Sequence, residues 1–361
     1  MPPAKKKAYT PPKDLSALLA ASKKKYGDSV LRRDELVKVE FIPTGCTALD
    51  IAMGGGIPVG RVTEFVGKPS SGKTSTLLSA MARAQRMYPD KAVAYIDIER
   101  TWTNEWAEAL GVDLDRVLFA KPKYAEEGAD IARDWARSGW CSLIGIDSVG
   151  SMERQETMYE KSAEDNDMGK NSQVITRMTK QLSTISDDTD TATVVVNQYR
   201  ADLKNPGFDK ASGPMILGYQ TSCSVAFRGT GGAENVYTEK RNGEDIVLSY
   251  KIVAKVTRSK IIAAGRTASY WFNKEASERG PVGIDEIPEL VGLAQMKGII
   301  QPGAGSYWVL PDGKKPGVNG QKALVARVRE DLVLQQLLRD ALIDDVQSDL
   351  IPQIETTFTP A

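Results

Sequence analysis

Strand-like and helical segments alternate between residues 62 and 198, and this predicts an α/β fold with a mostly parallel sheet. Three observations support it. The runs 62–66, 92–99, 142–147 and 192–198 are almost continuously apolar or β-branched, the pattern of strands covered on both faces. The stretches between them have helical apolar spacing, as at Leu77, Leu78, Met81 and Ala84. Beyond Ser222 the pattern changes: strand-like runs at 223–228 and 246–258 flank Asn242-Gly243, a hairpin turn signal, so this part is expected to be antiparallel. From about Pro281 onward, short helices and glycine turns predict a small α+β domain.

Taken in order, residues 1–12 are rich in proline and lysine and lack apolar periodicity, so they read as unstructured. Leu15–Tyr26 has helical spacing at Leu15, Leu18, Leu19 and Ala21, is stopped by Gly27-Asp28, and precedes a short strand at Val30-Leu31. An apolar pattern resumes from Thr44 to Ile51, and Gly54-Gly55-Gly56 turns the chain toward the strand Val62–Val66. Helices are expected over 74–86, from Glu105, over 125–138 and over 172–185. No internal repeat is present.

Composition excludes several classes of chemistry. The 361 residues contain no histidine, which removes His-based triads, His general bases and His-ligated metals. Cys46, Cys141 and Cys223 are odd in number and far apart, which fits buried thiols in a reducing compartment rather than a zinc site. Lys plus Arg and Asp plus Glu are each 47, so overall charge decides nothing about nucleic acid. The distribution is uneven: lysines crowd the first 25 residues, and no basic residue follows Arg339. No apolar run has the length of a membrane span, and the lysine-rich start lacks a following apolar segment, so a soluble cytoplasmic protein is expected.

Residues 67–74, Gly-Lys-Pro-Ser-Ser-Gly-Lys-Thr, fit G-x-x-x-x-G-K-[ST] between a strand and a helix. That pattern makes Gly67, Lys68, Pro69, Ser70, Ser71, Gly72, Lys73, Thr74 and Ser75 a candidate phosphate cradle. Lys73 would reach the β- and γ-phosphates, and the Thr74 hydroxyl would coordinate Mg²⁺. Glu99, Asp147 and Gln198 each close an apolar strand, and ligands of open α/β sheets bind at that edge. Asp147 suits Mg²⁺, Glu99 suits activation of an attacking water, and Gln198 suits a hydrogen bond to the γ-phosphate.

From Asp14 to about residue 340 the chain resembles the RecA recombinase family, the bacterial-type strand-exchange ATPases. The resemblance is carried, in order, by Lys25-Tyr26-Gly27, Pro43–Asp50, Ser70–Thr74, Tyr95–Glu99, Leu110–Asp113, Asp147-Ser148-Val149, Met168-Gly169 and Asn197–Arg200. It implies a RecA-type ATPase core over residues 37–275, preceded by a polymerisation helix and strand over 1–36. A small C-terminal domain over 276–345 and an acidic tail over 346–361 would follow. It also implies ATP and Mg²⁺ as cofactors, and helical filaments on single-stranded DNA that pair with double-stranded DNA. Loader or mediator proteins would be further partners, and the setting would be DNA repair and the DNA-damage (SOS) response.

Residue by residue, the resemblance makes Glu99 the catalytic glutamate and Gln198 the link from γ-phosphate to a DNA-binding loop. Thr103 and Trp106 fall at the adenine, and Arg258 and Lys260 where two basic residues act across a subunit interface. For DNA it points to Met168, Gly169, Asn171, Ser172, Thr176 and Lys180 around a first segment, and to Arg200, Leu203, Lys204 and Gly213 in a second, Leu203 being the candidate wedge between bases. Departures are visible. Arg100 stands for the usual histidine, Thr103 for an acid near the adenine, and Gln173 for an arginine. The aromatic residue expected after the second segment has no clear counterpart. A ring-forming helicase motor of the same core, or a regulatory paralogue without turnover, stays open as an alternative.

Overall fold

The computed structural model describes residues 13–27, 30, 39–155, 168–201, 209–211, 215–230, 232–303, 308–309 and 320–350. The N-terminal twelve residues, the strand expected at Val30-Leu31 beyond Val30 itself, and the tail past Leu350 lie outside them. Two compact units divide the chain, Met1–Val39 and Glu40–Ala361. Within the first, α1 (Leu15–Tyr26) starts where the Asp14 carboxylate accepts from the Ala17 N–H at 2.7 Å, and it ends on Lys23, Lys24 and Lys25, which complement the helix dipole. None of its residues is buried.

The second unit opens with β1 (Phe41–Ile42), α2 (Thr47–Met53) and β2 (Ile57–Pro58). Its framework is a sheet containing β3 (Val62–Gly67), β4 (Ala92–Asp97), β5 (Val117–Ala120), β6 (Cys141–Asp147) and β7 (Ala192–Ala201). The connecting helices are α3 (Lys73–Met87), α4 (Asn104–Ala109), α5 (Ala125–Arg137) and α6 (Met168–Thr189). With β9 (Cys223–Gly229) at one end, the strand order β9-β3-β7-β6-β4-β5 is parallel throughout, and β3, β4, β6 and β7 are the apolar runs that predicted a parallel sheet. Strand β9 is one expected in the antiparallel part. It instead joins the parallel set through β3 and meets β11 (Glu244–Ser259) antiparallel on its other side, so it is the seam between the two halves. The sheet continues antiparallel through β12 (Thr267–Asn273) and β13 (Gly283–Asp285). The strand β10 (Val236–Arg241) pairs with β11 through the Asn242-Gly243 turn, both residues at positive φ as a two-residue hairpin requires.

Side-chain alternation along the strands builds two cores. Val93 and Tyr95 of β4, Leu143 of β6 and Val194 and Val196 of β7 face one apolar layer with Leu77 and Met81 of α3. Ala94, Ile96, Ile144, Ile146 and Val195 face the other, with Ala132 and Ala136 of α5 and Met178 and Leu182 of α6. Each fully buried aliphatic chain contributes about 1.5–3 kcal/mol, which outweighs the modest strand and helix propensities of the individual segments. Gly145 marks the closest approach: a Cβ there would lie 2.8 Å from Leu77 Cδ2, so α3 rests directly on β6.

A third apolar cluster lies beyond β13. It joins Leu290 and Val291 of α8 (Ile287–Met296), Leu324 and Val328 of α9 (Gln321–Glu330), and Leu334, Leu338 and Leu342 of α10 (Leu332–Leu350). Buried Glu286 connects this cluster to α2. It accepts from the Thr47 N–H at 2.6 Å and from Arg339 Nε at 2.7 Å. Beside it, buried Asp50 accepts from the Thr44 N–H at 2.8 Å and the Thr44 hydroxyl at 2.7 Å. Burial pushes the Asp50 carboxyl up to about 7, with Glu286 adding to the rise and the Thr44 hydrogen bonds opposing it.

A carboxyl whose pKa is higher folded than unfolded favours folding while protonated, and that contribution is lost as pH rises through about 7. Asp50→Asn should therefore gain stability relative to the wild type as pH rises from about 4 to about 8, with a ceiling of about 4 kcal/mol. Denaturant titrations across that range read the difference, and parallel curves for the two proteins would contradict it.

Candidate functional site

Strand register assembles the site. Gly67 at the end of β3 lies opposite Gln198 of β7, and Asp97 at the end of β4 lies opposite Asp147 of β6. The chain then leaves β3 through the phosphate loop and enters α3, whose first residue is Lys73. Gly72 at the helix start has φ +93, and a Cβ there would collide with the Ile252 side chain, so this corner requires glycine. Lys73 is buried, and its ammonium donates to the Gly67 carbonyl at 3.0 Å and the Lys68 carbonyl at 2.8 Å. Burial holds its pKa below the usual lysine range, while Asp147 and Glu99 oppose that shift.

Asp147 Oδ2 accepts from the Thr74 hydroxyl at 2.5 Å and from the Tyr95 hydroxyl at 3.0 Å. Burial raises the Asp147 carboxyl to about 6, and Glu99 adds to the rise. Glu99 sits two residues past the end of β4, where its N–H donates to the Asp147 carbonyl at 3.2 Å. Its Oε1 accepts from the Ser148 hydroxyl, from the Ser151 hydroxyl at 3.2 Å, and from Gln198 Nε2. Gln198 is positioned in turn: its N–H donates to Asn197 Oδ1 at 2.9 Å, and Asn197 Nδ2 donates to buried Glu64 at 2.9 Å. Lys73, Thr74, Glu99, Asp147 and Gln198 thus form one connected group.

A cavity of about 500 Å³ opens beside the loop, lined by Ser70, Ser71, Gly72, Lys73, Thr74 and Ser75 of the loop and helix start. Trp106, Val247, Tyr250, Phe272 and Lys274 complete its lining. Trp106 lies 6.0 Å from Phe272, and Tyr250 5.7 Å from it, ring centre to ring centre. Gly67, Lys68 and Pro69 form the loop's first half but do not line this cavity. Thr103 does not line it either. Its hydroxyl accepts from the Trp106 N–H at 3.4 Å as the cap of α4, and it faces a separate cleft with Trp102 and Phe119.

Arg258 and Lys260 are exposed at the end of β11, where Ser259 pairs with Cys223 and Cys223 with Thr63. That is the amino end of β3, four residues and roughly 13 Å of strand from Gly67, so neither points at this chain's own phosphate loop. Both meet Tyr219 of α7 (Met215–Gln220). Arg258 lies 5.1 Å from its ring centre, and Lys260 Nζ donates to its carbonyl at 3.0 Å.

Among the expected DNA contacts, Ser172, Thr176 and Lys180 share one face of α6 and line a shallow cleft with Gln173, Arg177 and Gln181. Met168 and Gly169 begin that helix, and Asn171 Oδ1 accepts from the Arg154 N–H at 3.2 Å. Arg200 lies in β7 opposite Lys210 of β8 (Asp209–Ala211), so the second segment is a hairpin rising one residue after Gln198. Leu203, Lys204 and Gly213 lie outside the described residues.

Residues 13–270 match the RecA N-terminal domain family. The chain is 31% identical over 314 residues to the mitochondrial DNA repair protein recA homolog of Dictyostelium discoideum, a match covering 85% of this chain and 65% of that protein. It is 30% identical over 306 residues to Protein RecA of Thermus aquaticus, covering 82% and 84% of the two chains. With Protein RecA of Acinetobacter baylyi it shares 28% identity over 362 aligned positions, covering 96% and 97%. With that breadth of match laid over a phosphate loop, Glu99, Asp147 and Gln198 in one connected group, the chain belongs to the RecA family.

Proposed function

We propose that this chain is an ATP-dependent recombinase that forms helical filaments on single-stranded DNA and promotes homologous pairing and strand exchange with a duplex. The observation that carries this reading is the hydrogen bond from Gln198 to Glu99, made one residue below the β7–β8 hairpin. It links a water-activating carboxylate to a candidate DNA-binding segment through a single side chain.

ATP would place its phosphates at the start of α3, where free backbone N–H groups favour anions. Lys73 would exchange the Gly67 and Lys68 carbonyls for the β- and γ-phosphates. The Thr74 hydroxyl and the buried Asp147 carboxylate are hard oxygen donors at one point, fit Mg²⁺, and would hold it beside the phosphates. Bound there, Mg²⁺ supplies charge neutralisation of the phosphates. A γ-phosphate competing for Gln198 Nε2 would release Glu99 to accept the proton of the attacking water, and would shift β7 at the base of the hairpin. Arg258 and Lys260 would serve the phosphate loop of a neighbouring copy, because the register holds them far from their own. Filaments follow from such head-to-tail contacts that do not close.

On this reading α1 and residues to 36 pack subunits together, residues 37–275 carry the ATP and DNA sites, and 276–345 form a small C-terminal domain. Residues 346–361 form an acidic tail. DNA phosphates would meet Arg200, Lys204, Thr176 and Lys180 and the N–H groups near Met168, Gly169, Asn171 and Ser172, with Leu203 wedged between bases and Gly213 easing the loop's return. No described helix is long and apolar enough to cross a membrane, in keeping with a cytoplasmic filament.

Lys73→Ala should lower ATP hydrolysis at least about 100-fold, since it removes charge aimed at the transferring phosphoryl group. Glu99→Gln should lower turnover about 100-fold or more while nucleotide still binds, read as phosphate release beside nucleotide titration. Mixing Glu99→Gln protein with the Arg258→Ala/Lys260→Ala double variant should restore part of the activity, and no rescue would count against sharing of sites between copies. Electron microscopy of ATP-bound protein on single-stranded DNA should show open helical filaments; closed rings would favour a motor.

A further inference from the structure

The cavity beside the phosphate loop has two chemically different sets of lining residues, and the set outside the loop bears on which nucleobase it takes. Trp106, Tyr250 and Phe272 offer flat apolar faces, the surface a base stacks on. The polar side chains among them are Lys274, Trp106 and Tyr250, and among the described residues no carboxylate lines the cavity. The neighbouring acid, Glu275, is held by Arg241 at 2.7 Å. Lys274 is fixed by its backbone N–H, which donates to the Leu248 carbonyl at 2.8 Å as the chain leaves β12. Its ammonium makes no ion pair among the described residues.

An adenine amino group donates and needs an acceptor beside it. A 6-oxo purine presents O6 and N7, two acceptors that suit a lysine. Ammonium and indole groups donate only, while the Tyr250 hydroxyl can donate to O6 or accept from an amino group, so the lining serves both kinds of base. We propose that the site accepts 6-oxo purine nucleoside triphosphates alongside ATP, with Lys274 as the residue that sets the base preference. The proposal rests on the nucleotide reading above. The chemistry at the γ-phosphate is the same for either base, since the triphosphate is common to ATP, GTP and ITP.

The test is displacement of a fluorescent ATP analogue by ATP, GTP and ITP with Mg²⁺ present, repeated on Lys274→Gln. GTP and ITP should compete within about tenfold of ATP, and Lys274→Gln should weaken them about tenfold while leaving ATP within about twofold. GTP and ITP binding more than about 100-fold weaker than ATP in the wild type would overturn the proposal and leave the ATP site intact. An equal loss for all three on Lys274→Gln would place that lysine on phosphate or ribose and overturn it too. If none of the three displaces the probe, or the probe itself fails to bind, the nucleotide reading falls with it.

Discussion

Four neighbouring parallel strands, β4, β6, β7 and β3, end at one edge, and the hydrogen bond between Glu99, just past β4, and Gln198 of β7 reaches across the end of β6 between them. Each strand alone ends on a polar residue near solvent, which would mean little. Their register brings the glycine-rich loop, the buried Asp147 carboxylate and Glu99 together, and two apolar layers hold that register. A one-residue slip of β7 would turn Gln198 to the opposite face and exchange the packing of Val194, Val195 and Val196. Core packing and site geometry are therefore the same constraint.

The electrostatics fit a site awaiting a polyanion and a cation. Lys73 is buried with its charge satisfied by carbonyls, and burial lowers its pKa. Asp147 is buried with its carboxyl pushed up to about 6. Phosphate beside the lysine and a divalent cation beside the carboxylate would each meet a buried group of opposite charge. Glu99 is held instead by hydroxyl and amide donors, which can be exchanged singly.

Much of this was legible in the chain. Buried parallel strands write themselves as continuous apolar runs, and the polar residues that end them were readable as the site because ligands sit at that edge. The Asn242-Gly243 hairpin was readable because its turn needs two positive φ values. What local pattern did not reveal depends on pairing across long sequence distance. The run Cys223–Gly229 carries no mark of parallel pairing with β3, a partner some 160 residues earlier. Tyr219 carries no local mark of its contact with Arg258 and Lys260, which β11 brings to it from some 40 residues later. Thr103, with a family position beside the base, caps its own helix, a competition that short hydroxyl residues often enter. Lys274 drew no notice because nothing in its neighbourhood forms a motif, and only the fold sets it in one cavity with the phosphate loop.

Gln198 is the proposed link from nucleotide chemistry to the β7–β8 pairing, through its hydrogen bond to Glu99. The most direct measurement is the ATP hydrolysis rate with and without single-stranded DNA, at one fixed and stated salt concentration, for the wild type and Gln198→Ala. The account predicts that DNA raises the wild-type rate and leaves the variant's rate unchanged. A wild-type rate indifferent to DNA, or a variant stimulated as strongly as the wild type, would contradict it.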